Sequence, residues 1–166
     1  CFRVFLYVGL ISSITHFGFT FVNVYLSSFA GFTKTEALTF ACSGTFLAMT
    51  GVLTTGLLLK KFPNKISRVI NCGLWLAFFL APVVMILMKS GQTIEIYTAL
   101  FLLAVFTGLL CGAAPYFIAI HFQNINRYSG SAIINNLSQG LIGGFFPSIA
   151  LFLLNNTNEV TLPGFY

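Results

Sequence analysis

Five stretches of this chain are mostly apolar and contain no charged side chain: Val4–Leu26, Ala37–Leu59, Val69–Met88, Ile96–Ile120 and Ser129–Leu154. They run to between 20 and 26 residues. A helix of about 20 mostly apolar residues crosses a hydrocarbon core of roughly 30 Å. Lipid offers no partner to backbone N–H and C=O groups, so a segment of this length satisfies them internally, as a helix. A membrane barrel would show shorter segments alternating apolar and polar, which these are not. The first stretch is too long for a secretory signal, and no small-residue cleavage site follows it. The pattern predicts an all-α polytopic membrane helix bundle, a single transmembrane domain of five helices over residues 1–166.

Polar residues within these stretches are costly in lipid, so their spacing carries information. Ser12, His16, Thr20 and Asn23 recur at three- and four-residue steps, which places them on one face of a regular helix. Thr39, Ser43, Thr50 and Thr54 form a similar stripe in the second stretch, and Ser131, Asn135, Asn136, Ser138 and Gln139 gather in the fifth. The third stretch has only Asn71 and reads as a peripheral, lipid-facing helix. Two readings stand for the stripes: hydrogen bonds between packed helices, or the wall of a water-filled pathway. His16, Thr20, Asn23, Asn135, Asn136 and Gln139 are the candidate pathway residues. His16 is the ionisable group well within a span, so it either relays a proton or hydrogen-bonds a neighbouring helix.

Gly108–Gly112 and Gly140–Gly144 each have the G-x-x-x-G spacing that lets helices approach closely. Pro82, Pro115 and Pro147 fall inside predicted helices, where they are expected to bend or locally break them.

Composition agrees with the pattern. Of 166 residues 57% are hydrophobic and 7% charged, against roughly 25% charged in soluble domains. The placement of the charges also sets a direction. Arg3, then Lys60, Lys61, Lys65 and Arg68, then Arg127 fall on one side of the alternating spans, without an acidic residue. Lys34, Glu36, Lys89, Glu95 and Glu159 fall on the other. By the positive-inside rule the first side is cytoplasmic, so the N-terminal end is expected inside and the C-terminal end outside. Nucleic acid is not an expected partner, because the cations sit beside spans instead of forming one patch.

Catalytic, metal and cofactor signatures are absent. The sequence has no Asp, its three Glu lie in connections, its two His are unpaired, and Cys1, Cys42, Cys72 and Cys111 lack C-x-x-C spacing. We therefore expect no enzyme, no metal and no cofactor. No charged ring or carbonyl filter suggests a channel. The chain opens on Cys1 and ends on an aromatic run after Pro163, so it reads as a fragment.

Two motifs carry a family resemblance. Gly56-Leu57-Leu58-Leu59-Lys60-Lys61-Phe62-Pro63-Asn64-Lys65 resembles the loop pattern G-x-x-x-D-R-x-G-R-R of the major facilitator superfamily. Gly56, Lys61 and Lys65 fit, but Lys60 replaces the acid, Pro63 the second glycine and Asn64 an arginine. Arg127-Tyr128-Ser129-Gly130-Ser131-Ala132, followed by Asn135-Asn136-Leu137, Gly143-Gly144 and Pro147, is similar to the eleventh helix of the metabolite:proton symporter branch. Leu162-Pro163-Gly164-Phe165-Tyr166 resembles the lead-in to the twelfth. Ile120-His121-Phe122-Gln123 departs from the acidic-Leu-Phe-Pro run that precedes the arginine in that branch.

The resemblance implies that the five helices are the seventh to eleventh of a twelve-helix fold in a bacterial inner membrane. It also implies alternating access against a missing N-terminal six-helix half, with protons coupled to a small polar solute of proline/betaine or dicarboxylate type. The coupling carboxylates would lie in that other half. The altered loop motif and the cut ends leave an alternative, a non-transporting membrane subunit or the product of a split or decayed transporter gene.

Overall fold

The computed structural model describes residues 2–122 and 127–157. All regular structure among them is helical: α1 (Phe2–His16), α2 (Val22–Ser28), α3 (Lys34–Lys61), α4 (Ile66–Lys89), α5 (Thr93–His121), α6 (Arg127–Ser138) and α7 (Gly144–Thr157). A π-turn at Phe17–Phe21 joins α1 to α2, another at Gln139–Gly143 joins α6 to α7, and a short 3₁₀ turn at Pro63–Lys65 leads into α4. Five helical runs are long and apolar enough to cross a membrane: Arg3–Ser28, Lys34–Lys61, Pro63–Lys89, Thr93–His121 and Tyr128–Leu153.

Local chemistry explains the boundaries. Gly31 and Gly91 adopt φ of +77° and +70° in the turns before α3 and α5, a region open to glycine and costly for other residues. Thr33 then caps α3. Its Oγ1 accepts from the Glu36 amide at 3.3 Å while its own amide donates to Glu36 Oε2 at 2.9 Å. That reciprocal box satisfies two amides that a helix start otherwise leaves free.

The fourth span, α5, is the axis of the bundle. Ile96, Leu100, Leu103, Phe106 and Leu110 on it are almost wholly buried. Lipid supplies little hydrophobic drive between helices, so close backbone approach and buried polar bonds decide the packing. The α3 helix runs parallel to α5 in steady register, with Gly44 against Leu100, Gly51 against Gly108 and Gly112 against Thr55. Along the other side lies α4, where Gly73 meets Leu110. Its outer face exposes Trp75, Phe78 and Phe79, as the sparse polarity of this span predicts.

The fifth span rides on the first. Gly9 faces Ile142 and Gly143 faces Ser12, and Ser138, fully buried, donates to the Phe5 carbonyl at 3.1 Å. Ser138→Ala should lower stability in detergent by about 0.6 kcal/mol, the mean for such bonds between membrane helices. A thermal unfolding curve checks this.

Helix breaks at the prolines and close packing through Gly140 and Gly144 are the two points at which the structure differs. None of the three prolines breaks its helix: α4, α5 and α7 run on through Pro82, Pro115 and Pro147. The irregularity lies at the π-turns, the second of which ends at Gly143, whose carbonyl Pro147 cannot pair four residues on. Of the two glycine motifs, Gly108 and Gly112 do bring helices together. A Cβ on Gly140 would meet nothing within 4 Å, and one on Gly144 only the Gln139 carbonyl at 3.7 Å. Spacing alone cannot say which helical face meets a neighbour, and the π-turn hands the close contact to Gly143.

Candidate functional site

The first, fourth and fifth spans line an open cavity of about 620 Å³, within the range of small-molecule sites. The first span contributes Val8, Ile11, Ser12, Thr15 and His16, and α5 contributes Cys111, Ala114, Pro115, Ile118 and Ala119. From the fifth span come Tyr128, Ser131, Ala132, Asn135 and Gln139. These segments take the cavity from mid-bundle, at His16 and Gln139, towards the end that carries Arg3 and Lys60. Its lining is a mixture of methyl groups, hydroxyls, amides and one imidazole. No Asp, Glu, Lys or Arg lines it among the described residues.

Hydrogen bonds hold much of this wall in place. His16 Nδ1 lies 2.8 Å from the Ser12 carbonyl and 3.5 Å from Ser12 Oγ. A carbonyl only accepts, so in this bond Nδ1 carries the hydrogen and donates it. Thr15 Oγ1 donates to the Ile11 carbonyl at 2.7 Å and stands 3.6 Å from Cys111 Sγ across the helix interface. Gln139 Nε2 donates to Asn135 Oδ1 at 3.4 Å. That long bond leaves the Gln139 carbonyl oxygen and the Asn135 amino group unpaired within the pair, one acceptor and one donor side by side on the wall.

Of the candidate pathway residues, His16, Asn135 and Gln139 come together here. Thr20, Asn23 and Asn136 do not line the cavity. Thr20 and Asn136 are exposed elsewhere on the bundle. The cavity runs from His16 towards the Arg3 end, away from Thr20 and Asn23, and these two also follow the π-turn at Phe17–Phe21. That turn fits an extra residue into one turn, so positions beyond it lag a regular helix by about 100°. The stripe that a uniform helix would align is split at His16.

Thr15, Cys111 and the α5 wall are cavity residues that polar periodicity misses. Thr15 sits one position off the stripe, and α5 carries too few polar groups to mark a face. In the second span the stripe hydroxyls turn back on their own helix: Thr39, Ser43, Thr50 and Thr54 donate to Thr35, Phe40, Leu47 and Gly51 carbonyls.

The two resembling motifs fall at the same end of the bundle. Gly56 meets nothing within 4 Å, and Lys60, Lys61 and Lys65 are exposed. In the other motif Tyr128 is 85% exposed at the cavity mouth. A Cβ on Gly130 would fall 2.6 Å from Phe122 Cε1. Arg127 opens α6, and its side chain, like Gln123, Glu159 and residues 162–166, lies outside the described residues. A second cavity, about 790 Å³ between α3 and α5, is lined by Leu53, Leu57 and Pro63, with Lys60 and Tyr116 at its polar points. The first is the richer in paired donors and acceptors.

Fold and cavity together define an all-α integral membrane protein with a cavity between three spans, mainly apolar with polar points and without a charged side chain among the described residues. Over 81 residues, 49% of its length, the chain is 32% identical to the ectoine/proline transporter ProP of Corynebacterium glutamicum. The matched stretch spans 16% of that transporter. No family model and no solved structure matches the chain.

Proposed function

We propose that this chain is part of the C-terminal half of a secondary transporter of major facilitator type, and that it lines the pathway of a small polar solute. The observation that carries the reading is the cavity between the first, fourth and fifth spans, which offers amides, hydroxyls and an imidazole but, among the described residues, no fixed charge. Similarity to an ectoine/proline transporter supports the same class of cargo. A zwitterion or neutral osmolyte suits such a wall. A dicarboxylate would need a cation that the described lining lacks.

The Lys- and Arg-rich end is cytoplasmic on this reading, in a bacterial inner membrane, so the cavity opens inward. A second six-helix half closes it from the other side and alternates access by rocking. His16 is the imidazole among the described lining residues. Coupling to protons uses this imidazole or carboxylates in the other half.

The test is uptake of labelled proline, ectoine and 2-oxoglutarate by the complete protein in proteoliposomes under an imposed proton gradient. Proline or ectoine should accumulate, and a protonophore should abolish it. Accumulation of none of the three refutes the reading. Asn135→Ala should raise the half-saturating solute concentration by about 2- to 12-fold, the equivalent of one hydrogen bond of about 0.5–1.5 kcal/mol.

A further inference from the structure

The turn between α3 and α4 gathers four cations, Lys60, Lys61, Lys65 and Arg68, within nine residues, all exposed. Where the superfamily loop carries an acid, this chain has Lys60, so the turn lacks its internal counter-charge. The carboxylates of Glu36 and Glu95 lie at the opposite ends of α3 and α5.

Two of these lysines share one aromatic neighbour. Lys65 Nζ stands 4.6 Å and Lys61 Nζ 5.6 Å from the centre of the Phe62 ring. The ring's electron-rich face attracts both ammonium groups, which stay exposed beside it. The start of α4 adds to the field. No side chain caps it, and its first turn has no acidic residue, so its positive dipole end is uncompensated.

Position identifies the anion. The turn joins two helices long and apolar enough to cross a membrane, Lys34–Lys61 and Pro63–Lys89, and cations at the ends of such helices reach the headgroup level. Phe62, 44% exposed, places an aromatic ring beside these cations.

We propose that the Lys60–Arg68 turn binds the phosphate of an anionic phospholipid, with Lys61 and Lys65 clasping the headgroup beside Phe62. Basic clusters next to a span attract anionic lipid in this way. The site stands independently of what the protein transports.

The test reconstitutes the complete protein in phosphatidylcholine bilayers and measures by spin-label spectroscopy its preference for phosphatidylglycerol over phosphatidylcholine. The triple variant K60Q/K61Q/K65Q should lower that preference about five-fold or more, and raised salt should weaken it in the unmodified protein. The pair K34Q/K89Q, at the opposite face, should leave it unchanged. All five lysines are exposed, so equal thermal midpoints in neutral lipid confirm that each variant is folded. An unchanged preference in the triple variant overturns the proposal. So does displacement of the labelled lipid by millimolar inorganic phosphate, which would make the anion an aqueous one.

Discussion

Gly108→Ala is expected to destabilise the bundle strongly, while Gly140→Ala, in the other glycine motif, leaves it unchanged or more stable. A Cβ on Gly108 would lie 2.8 Å from Gly51 Cα and 2.9 Å from the Gly51 carbonyl carbon. Both are backbone atoms, so no rotamer change relieves the contact and α3 must move away from α5. Overpacking of this kind typically costs about 1–3 kcal/mol, and here it also separates the longest helix pair in the bundle. Gly51→Ala should fall between, since its Cβ meets Gly108 Cα at 3.1 Å and the Ala104 carbonyl at 3.3 Å. Gly140 has open space, and alanine favours a helix over glycine by up to about 1 kcal/mol. Thermal unfolding of the variants in one detergent gives the order. Equal effects at 108 and 140 would mean that α3 and α5 do not meet through this glycine.

Gly143→Ala should have the second large effect, and Ser12→Gly should partly rescue it. The added methyl would overlap Ser12 Oγ, with Ser12 Cβ at 2.9 Å and His16 Nδ1 at 3.0 Å. Rotating the serine hydroxyl does not move its Cβ, so the first and fifth spans must part or the His16 ring must leave the Ser12 carbonyl. Either change alters the cavity as well as stability. Each single variant should be destabilised, and the double less than the sum of the two. A coupling of about 0.5–3 kcal/mol is usual for residues in contact. Additive effects in unfolding would show that Gly143 does not face Ser12.

Much of the architecture is legible in the sequence because the bilayer imposes one length on every span. Four of the charge-free stretches fall inside spanning helices and the fifth overruns Tyr128–Leu153 by one residue, and the outward aromatic face of α4 accompanies its lack of polar residues. The site is legible only as far as helices are uniform. The stripe from Ser12 to Asn23 assumes a constant 100° step, and the π-turn at Phe17–Phe21 breaks that phase without a proline or any other residue that announces it. Conversely, Pro82 and Pro115 look disruptive but sit in helices that continue, since neighbouring groups can satisfy freed carbonyls. The α5 wall of the cavity left no trace, because small apolar residues look alike whether they face a helix, lipid or a solute.

On the proposed function, the cavity between the first, fourth and fifth spans carries the solute. Neighbouring asparagines test it most directly, since Asn135 lines the cavity and Asn136 does not. In the complete protein with its other cysteines replaced, N135C should react with a membrane-impermeant thiol reagent, and saturating proline or ectoine should slow that reaction severalfold. N136C should show no such protection. Protection at 136 with none at 135, or no effect of solute at either position, would contradict the assignment of this cavity as the pathway.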